Sequence, residues 1–228
     1  MARQPFLPTH RGKSTSVGRG VIEPRLAAVI AKCNDNWTHV DLQLALTMGS
    51  LLGIENPASV AVFTALRNNR AQREAIQAAA NATLPDGSLK DIFGAIMNVH
   101  RNLDSLRNDI VHGIWGKSAA LPDAAIWSSL QDHAVMLIED YHNLRPDHST
   151  PGYDRSERMT RDYFVWKYEE LESIADEIGA LADAIGNFHS HLRYRGIPAG
   201  ESALNQLCAS PLIQKELARM TSSGKKTP

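Results

Sequence analysis

The chain has almost no excess charge: 24 lysines and arginines face 25 aspartates and glutamates, a formal net charge of −1. With a pI near 6.8 there is no global electrostatic footprint for nucleic acid, so any such contact has to be local. Cysteine is scarce. Cys33 and Cys208 lie far apart and fit no zinc spacing, which points to buried thiols in a reducing compartment and to a cytoplasmic location. No apolar run approaches the roughly 18 residues of a membrane span, so no membrane partner is expected. A glycine-rich phosphate loop and serine or cysteine nucleophile motifs are also missing. No cofactor is expected. His189 and His191 form an H-x-H, but alternate helical residues diverge, and no metal site is expected there. His133, His142 and His148 sit in polar surroundings and read as solvated.

At 228 residues the chain can bury one sizeable core, and a single domain is the expectation. Residues 1–20 carry Arg3, Arg11, Lys13 and Arg19 with no acidic residue before Glu23, among proline, glycine and serine; they read as a basic disordered arm. Residues 196–228 read as a C-terminal extension ending in a loose basic tail. Residues 21–195 are left as one helical domain.

Ile22 to Lys32 is a short helical candidate. Thr38 with Asp41 resembles a capping box that starts a second helix, and Gly53 stops it. Asn56-Pro57 opens a helix running to about Ala80. In it Val62, Phe63 and Leu66 define an inward stripe that continues onto Arg70, Arg73 and Gln77. Such long polar groups must snorkel, pair, or line a wet cleft.

Pro85-Asp86-Gly87 is a turn, and Ser88 with Asp91 starts the next helix. Ile92, Ile96, Val99, Leu103, Leu106 and Ile110 step by three and four within an arc of about 80°, a core stripe. His100, Arg101, Asp104, Arg107, Asn108 and His112 fill a neighbouring arc of about 140°. Beyond Gly113, residues 124–128 and 134–138 are β-leaning runs around a polar turn, read as a small hairpin within about 113–140. Residues 143–158 look like an exposed loop and residues 163–166 like a strand. A final long helix carries Leu171, Ile174, Ile178, Leu181, Ile185, Phe188 and Leu192, a narrow stripe suited to bundle packing or a dimer seam. Trp115 and Trp127 read as packing residues rather than base-stacking ones.

The densest chemistry lies in Arg107-Asn108-Asp109-Ile110-Val111-His112. Histidine can act as base or acid near neutral pH. Arginine can grip two phosphate oxygens, and asparagine can orient a phosphate or an imidazole. Arg107 and His112 are about 7.5 Å apart along a helix and about 140° apart around it. A single copy does not aim both at one atom; two copies across a dimer axis do so more readily. The same residues also make a plain helix terminus, with Gly113 in the left-handed position and His112 favoured by the dipole.

Placed at the end of a long helix in a mostly helical chain, R-N-x-x-x-H resembles the motif of the HEPN superfamily. The longer string R-N-D-I-V-H-G-I-W-G is similar to uncharacterised bacterial HEPN-like proteins, loosely from Trp37 to Leu192. The resemblance implies a mainly α, up-and-down bundle that dimerises, here with a small β-hairpin after the motif helix. It implies a metal-independent endoribonuclease acting at a composite dimer cleft, many such proteins being toxins or antiviral effectors. His112 would be the acid/base, Arg107 the phosphate stabiliser and Asn108 the positioning group. Arg70, Arg73, His100, Arg101 and Asp104 are candidate RNA contacts. RNA, a second copy of the chain, and an antitoxin or inhibitor are the partners to expect. The alternative is a non-catalytic HEPN-like dimer that binds a partner or ligand.

Overall fold

A computed structural model describes residues 4–7, 15–54, 56–143, 152 and 154–224. Its elements are β1 (Gln4–Pro5), β2 (Thr15–Val17), α1 (Pro24–Leu52), α2 (Asn56–Ala65), α3 (Asn69–Thr83), α4 (Ser88–His112), β3 (Ile114–Ser118) and β4 (Ala124–Ser128). There follow α5 (Leu130–Asn143), α6 (Arg155–Asp162), β5 (Phe164–Lys167), α7 (Tyr168–Arg193), α8 (Pro198–Ala209) and α9 (Pro211–Gly224). The chain is mainly helical, as its periodicity predicts. It divides into two compact units, residues 1–33 with 106–175 and residues 34–105 with 176–228, the divisions falling inside α1, α4 and α7. The tail beyond 224, the middle of the basic arm and residues 144–151 of the expected loop lie outside the described residues.

The first unit is built on a five-stranded antiparallel sheet of order β1-β5-β4-β3-β2, more than the small hairpin expected. Its edges come from the arm expected to be disordered. Thr15–Val17 pair with Gly116–Ser118, Gln4 and Pro5 pair with β5, and Phe6 is buried. Short strands with a proline at one edge suit this position, since an edge strand needs only half its backbone hydrogen bonds. Central β4 is buried on both faces, hence the unbroken apolar run Ala124–Trp127. One face carries Ala124, Ile126 and Val165, clustered with Phe6, Met136 and Tyr163.

The hairpin joins β3 to β4, so the second run proposed for it is wrongly placed. Residues 134–138 belong to α5. Ser129 starts that helix: its Oγ accepts from the Asp132 backbone at 3.0 Å and donates to Asp132 Oδ2 at 2.7 Å. A cap of this kind outweighs the β-preference of Val135 and Ile138. Residues 155–158, expected in a loop, open α6.

The second unit is helical. Thr38 starts nothing, because α1 runs unbroken from Pro24 and the Thr38 hydroxyl donates to the Asn34 carbonyl one turn back. Gly53, at φ +65°, ends the helix where expected. The single helix expected over 56–80 is interrupted. Asn68 caps α3, its Oδ1 accepting from the Ala71 backbone at 2.7 Å. Within α2 Phe63 is buried but Val62 is exposed, and beyond the break, which resets the phase, α3 turns Ile76, Ala79 and Ala80 inward rather than the arginine stripe. The cap predicted for Asn56 concerns a side chain outside the described set.

Along α4, Ile92, Ile96, Val99, Leu103 and Ile110 are buried as predicted, and Leu106 is half-buried. The α7 stripe from Leu171 to Phe188 is buried within the chain, so it packs internally and is not left exposed as a dimer seam. Residues 198–224, expected as an extension, form two helices that bury Ala203, Leu207 and Ile213. Bonds from Arg219 and Asn98 hold the carboxyl of buried Glu216 below the usual range.

Candidate functional site at the end of the motif helix

In the first unit the last turn of α4 runs into β3, and the sheet closes over it. Trp115 and Trp127 are cross-strand partners and point to the same face. Each indole donates to a terminal carbonyl of α4: Trp115 Nε1 to Ile110 O at 3.0 Å, Trp127 Nε1 to Asp109 O at 2.7 Å. The Gly113 amide also donates to Asp109 O, at 3.0 Å. The final carbonyls of a helix have no partner within it. Here tryptophans satisfy two of them, each bond worth about 1 kcal/mol. Both were expected to pack; their part in ending the helix was not legible.

This clamp corrects the reading of Gly113. Among the described glycines with positive φ, Gly113 is not included, so no left-handed cap forms. The residue is required by close approach instead: a Cβ would collide with the Trp127 indole and come 2.8 Å from Asp109 O.

Held in this way, the motif side chains differ in exposure. His112, the last residue of α4, is exposed. Arg107 is half-buried, and its Nη1 donates to Asn108 Oδ1 at 3.0 Å. Its positive charge reaches Cys33, where burial pushes the thiol up to about 11 against the pull of Lys32 and Arg107. Cys33 is thus an inert buried thiol. Cys208 is exposed, contrary to expectation.

The remaining candidates belong to the second unit. Asp104, nearly buried, accepts from Arg73 Nη1 at 2.6 Å and from Asn69 Nδ2 at 2.9 Å. Arg70 is exposed and pairs with Glu74 at 2.7 Å. His100 is only 2 % exposed, its ring 5.0 Å from that of Trp37, and its buried Nδ1 has no hydrogen-bond partner among the described residues. Burial lowers its pKa to about 4, although Asp104 opposes the shift. A neutral buried imidazole of this kind is a packing group, so the expected RNA-facing role of His100 and Asp104 gives way to an internal one. Arg70, Arg73 and Arg101 do share a cleft of about 480 Å³ with Glu74, Gln77 and Asn81. Two of its three guanidiniums are already paired, which weakens its pull on a phosphate.

The histidines read as solvated differ. His142 is exposed, whereas His133 is half-buried beside the Tyr163 hydroxyl. His191 is buried with Nδ1 on the Gly200 carbonyl, and His189 lies 3.1 Å from Ser50 Oγ. Among the described residues no group of histidines, cysteines and carboxylates has the geometry of a metal site, and no helix is long and apolar enough to cross a membrane. No protein-family model matches the chain, and neither a curated protein nor a solved structure does.

Proposed function

We propose that this chain is a metal-independent endoribonuclease of the HEPN type, acting as a homodimer. The observation that carries the reading is His112 exposed at a helix end locked by two indoles, with the Arg107–Asn108 pair just over one turn earlier. A preorganised terminus holds an acid/base group in place without reorganisation during the reaction. In the proposed reaction His112 takes the proton of a ribose 2′-hydroxyl, whose oxygen attacks the adjacent phosphorus. The bond to the 5′-oxygen breaks, and that oxygen takes a proton from the imidazolium of the partner's His112. The products are a 2′,3′-cyclic phosphate and a 5′-hydroxyl. Arg107 stabilises the charge on phosphorus, and Asn108 orients the guanidinium. The Arg101 side of the α3–α4 cleft would offer a secondary phosphate contact. A toxin or phage-defence role, with an antitoxin as further partner, belongs to the same proposal.

The test incubates the chelator-treated protein with total RNA and with tRNA, followed by end-group analysis. Cleavage leaving 2′,3′-cyclic phosphate is expected. His112→Ala should lower the rate by about 100-fold or more while costing about 1 kcal/mol of stability or less. Arg107→Ala should do similar damage to the rate. Equal cleavage by parent and His112→Ala overturns the proposal. No cleavage at all leaves the non-catalytic interaction module.

A further inference from the structure

Helix α5 is packed with its apolar side outward. Asp132, His133, Glu139, Asp140 and Asn143 are half-buried, and Met136 alone enters the core cluster. Leu130, Leu137, Ile138 and Tyr141 are 65 %, 49 %, 59 % and 60 % exposed, and Ala134 lies open between them. These five follow i, i+4, i+7, i+8, i+11, one face of a helix about 17 Å long. The orientation is fixed from inside. The Tyr163 hydroxyl donates to Met136 Sδ at 3.2 Å and lies 2.8 Å from His133 Nδ1. Glu139 is gripped by Arg158 at 2.6 Å, and Arg158 also holds Asp162 at 2.6 Å. Rotating the helix to bury its apolar face would break both anchors, so the stripe stays outward in the folded unit.

We propose that this face is the interface with a second copy of the chain, α5 packing antiparallel on α5 about a two-fold axis. Area supports this occupant. The outward face offers roughly 500 Å² of apolar surface, near the upper limit for a monomer. Covering it twice removes roughly 1,000 Å² before any rim contact, the threshold of a specific interface. The stripe is also self-complementary, as an isologous contact requires. A crossing centred on residue 136 sets small Ala134 against Ile138 of the partner subunit and Val135 against Leu137 of the partner subunit. It brings Leu130 beside Tyr141 of the partner subunit. Antiparallel packing further places each helix C-terminus near the other's N-terminus, a favourable dipole arrangement.

The interface stands on the helix itself; only its link to RNA cleavage rests on the ribonuclease reading. Sedimentation of the full chain over a range of concentrations is expected to show a dimer. Leu137→Glu with Ile138→Glu, both exposed and therefore neutral for folding, should weaken it by about 30-fold or more, with circular dichroism and melting unchanged. A second pair of variants, Ala134→Cys and Ile138→Cys in a Cys208→Ser background, should form a mixed disulfide when combined and oxidised. A monomeric parent, or a charged variant that still dimerises, overturns the inference. A dimer that cleaves no RNA keeps the interface and removes the ribonuclease reading, whereas a dimer that cleaves RNA and is untouched by the charged pair keeps that reading and removes this interface.

Discussion

Helix α4 carries a histidine in its middle and another at its end, and the structure treats them oppositely. His100 lies under Trp37, buried, its pKa lowered by desolvation to about 4. His112 projects from the last residue of the helix, exposed. Each stretch also has an arginine against one of its polar residues, Arg73 of α3 on Asp104 and Arg107 on Asn108. The difference lies in what covers the helix. Around His100 side chains close over the polar face, so the imidazole stays neutral and Asp104 is used up by Arg73 and Asn69. At the end of α4 the covering tryptophans take hold of the backbone, through Ile110 O and Asp109 O, and leave His112 to solvent. Chemistry needs the second arrangement, since a group must be fixed without being consumed.

The most direct way to break this contrast is to force the clamp open. Gly113→Ala puts a Cβ into the Trp127 indole, and an expected loss of about 3 kcal/mol should appear in chemical denaturation. Little change in stability would show that the indole is not seated against the helix end.

His100 sharpens the comparison through pH. Its unfolded form takes a proton near pH 6.5, while the native form resists until about 4. Between these values the unfolded chain binds more protons, so stability falls as pH drops through the window and is fully present above 6.5. About 2 kcal/mol should be lost by pH 4.5, and His100→Phe should flatten that part of the stability profile. An unchanged slope would place the imidazole in contact with water.

The smallest expected effect comes from one clamp bond. Trp127→Phe keeps most of the packing but removes the donor to Asp109 O, costing about 1 kcal/mol. Hydrogen exchange at the end of α4 should speed up there and not around His100. Equal changes at both places would mean that the two halves of α4 open together.

Much of the helical content was legible because a core stripe repeats every three or four residues whatever the partner. Ile92 to Ile110, apart from half-buried Leu106, and Leu171 to Phe188 are buried as their spacing predicts. Breaks were harder to see. The Asn68 cap that separates α2 from α3 was readable in principle, as was the Ser129–Asp132 pair that starts α5, since both are local side-chain bonds. Of the candidate site, the residue types and their place at a helix end were legible. The division of Arg107 and His112 from the His100–Asp104 cluster was not.

The sequence by itself determined the core stripes of α4 and α7, the stop at Gly53 and the polar arc along α4, because these follow from propensity and periodicity within a few turns of chain. Only the tertiary structure decided that the arm supplies both sheet edges, that α5 shows its apolar side to solvent, and that Gly113 serves close packing rather than a left-handed turn. Each depends on residues distant in sequence: β5 and β3 for the arm, Tyr163 and Arg158 for α5, Trp127 for Gly113. Local pattern reports what a segment can form; which of its groups are buried, paired or left to react is fixed by what packs against it.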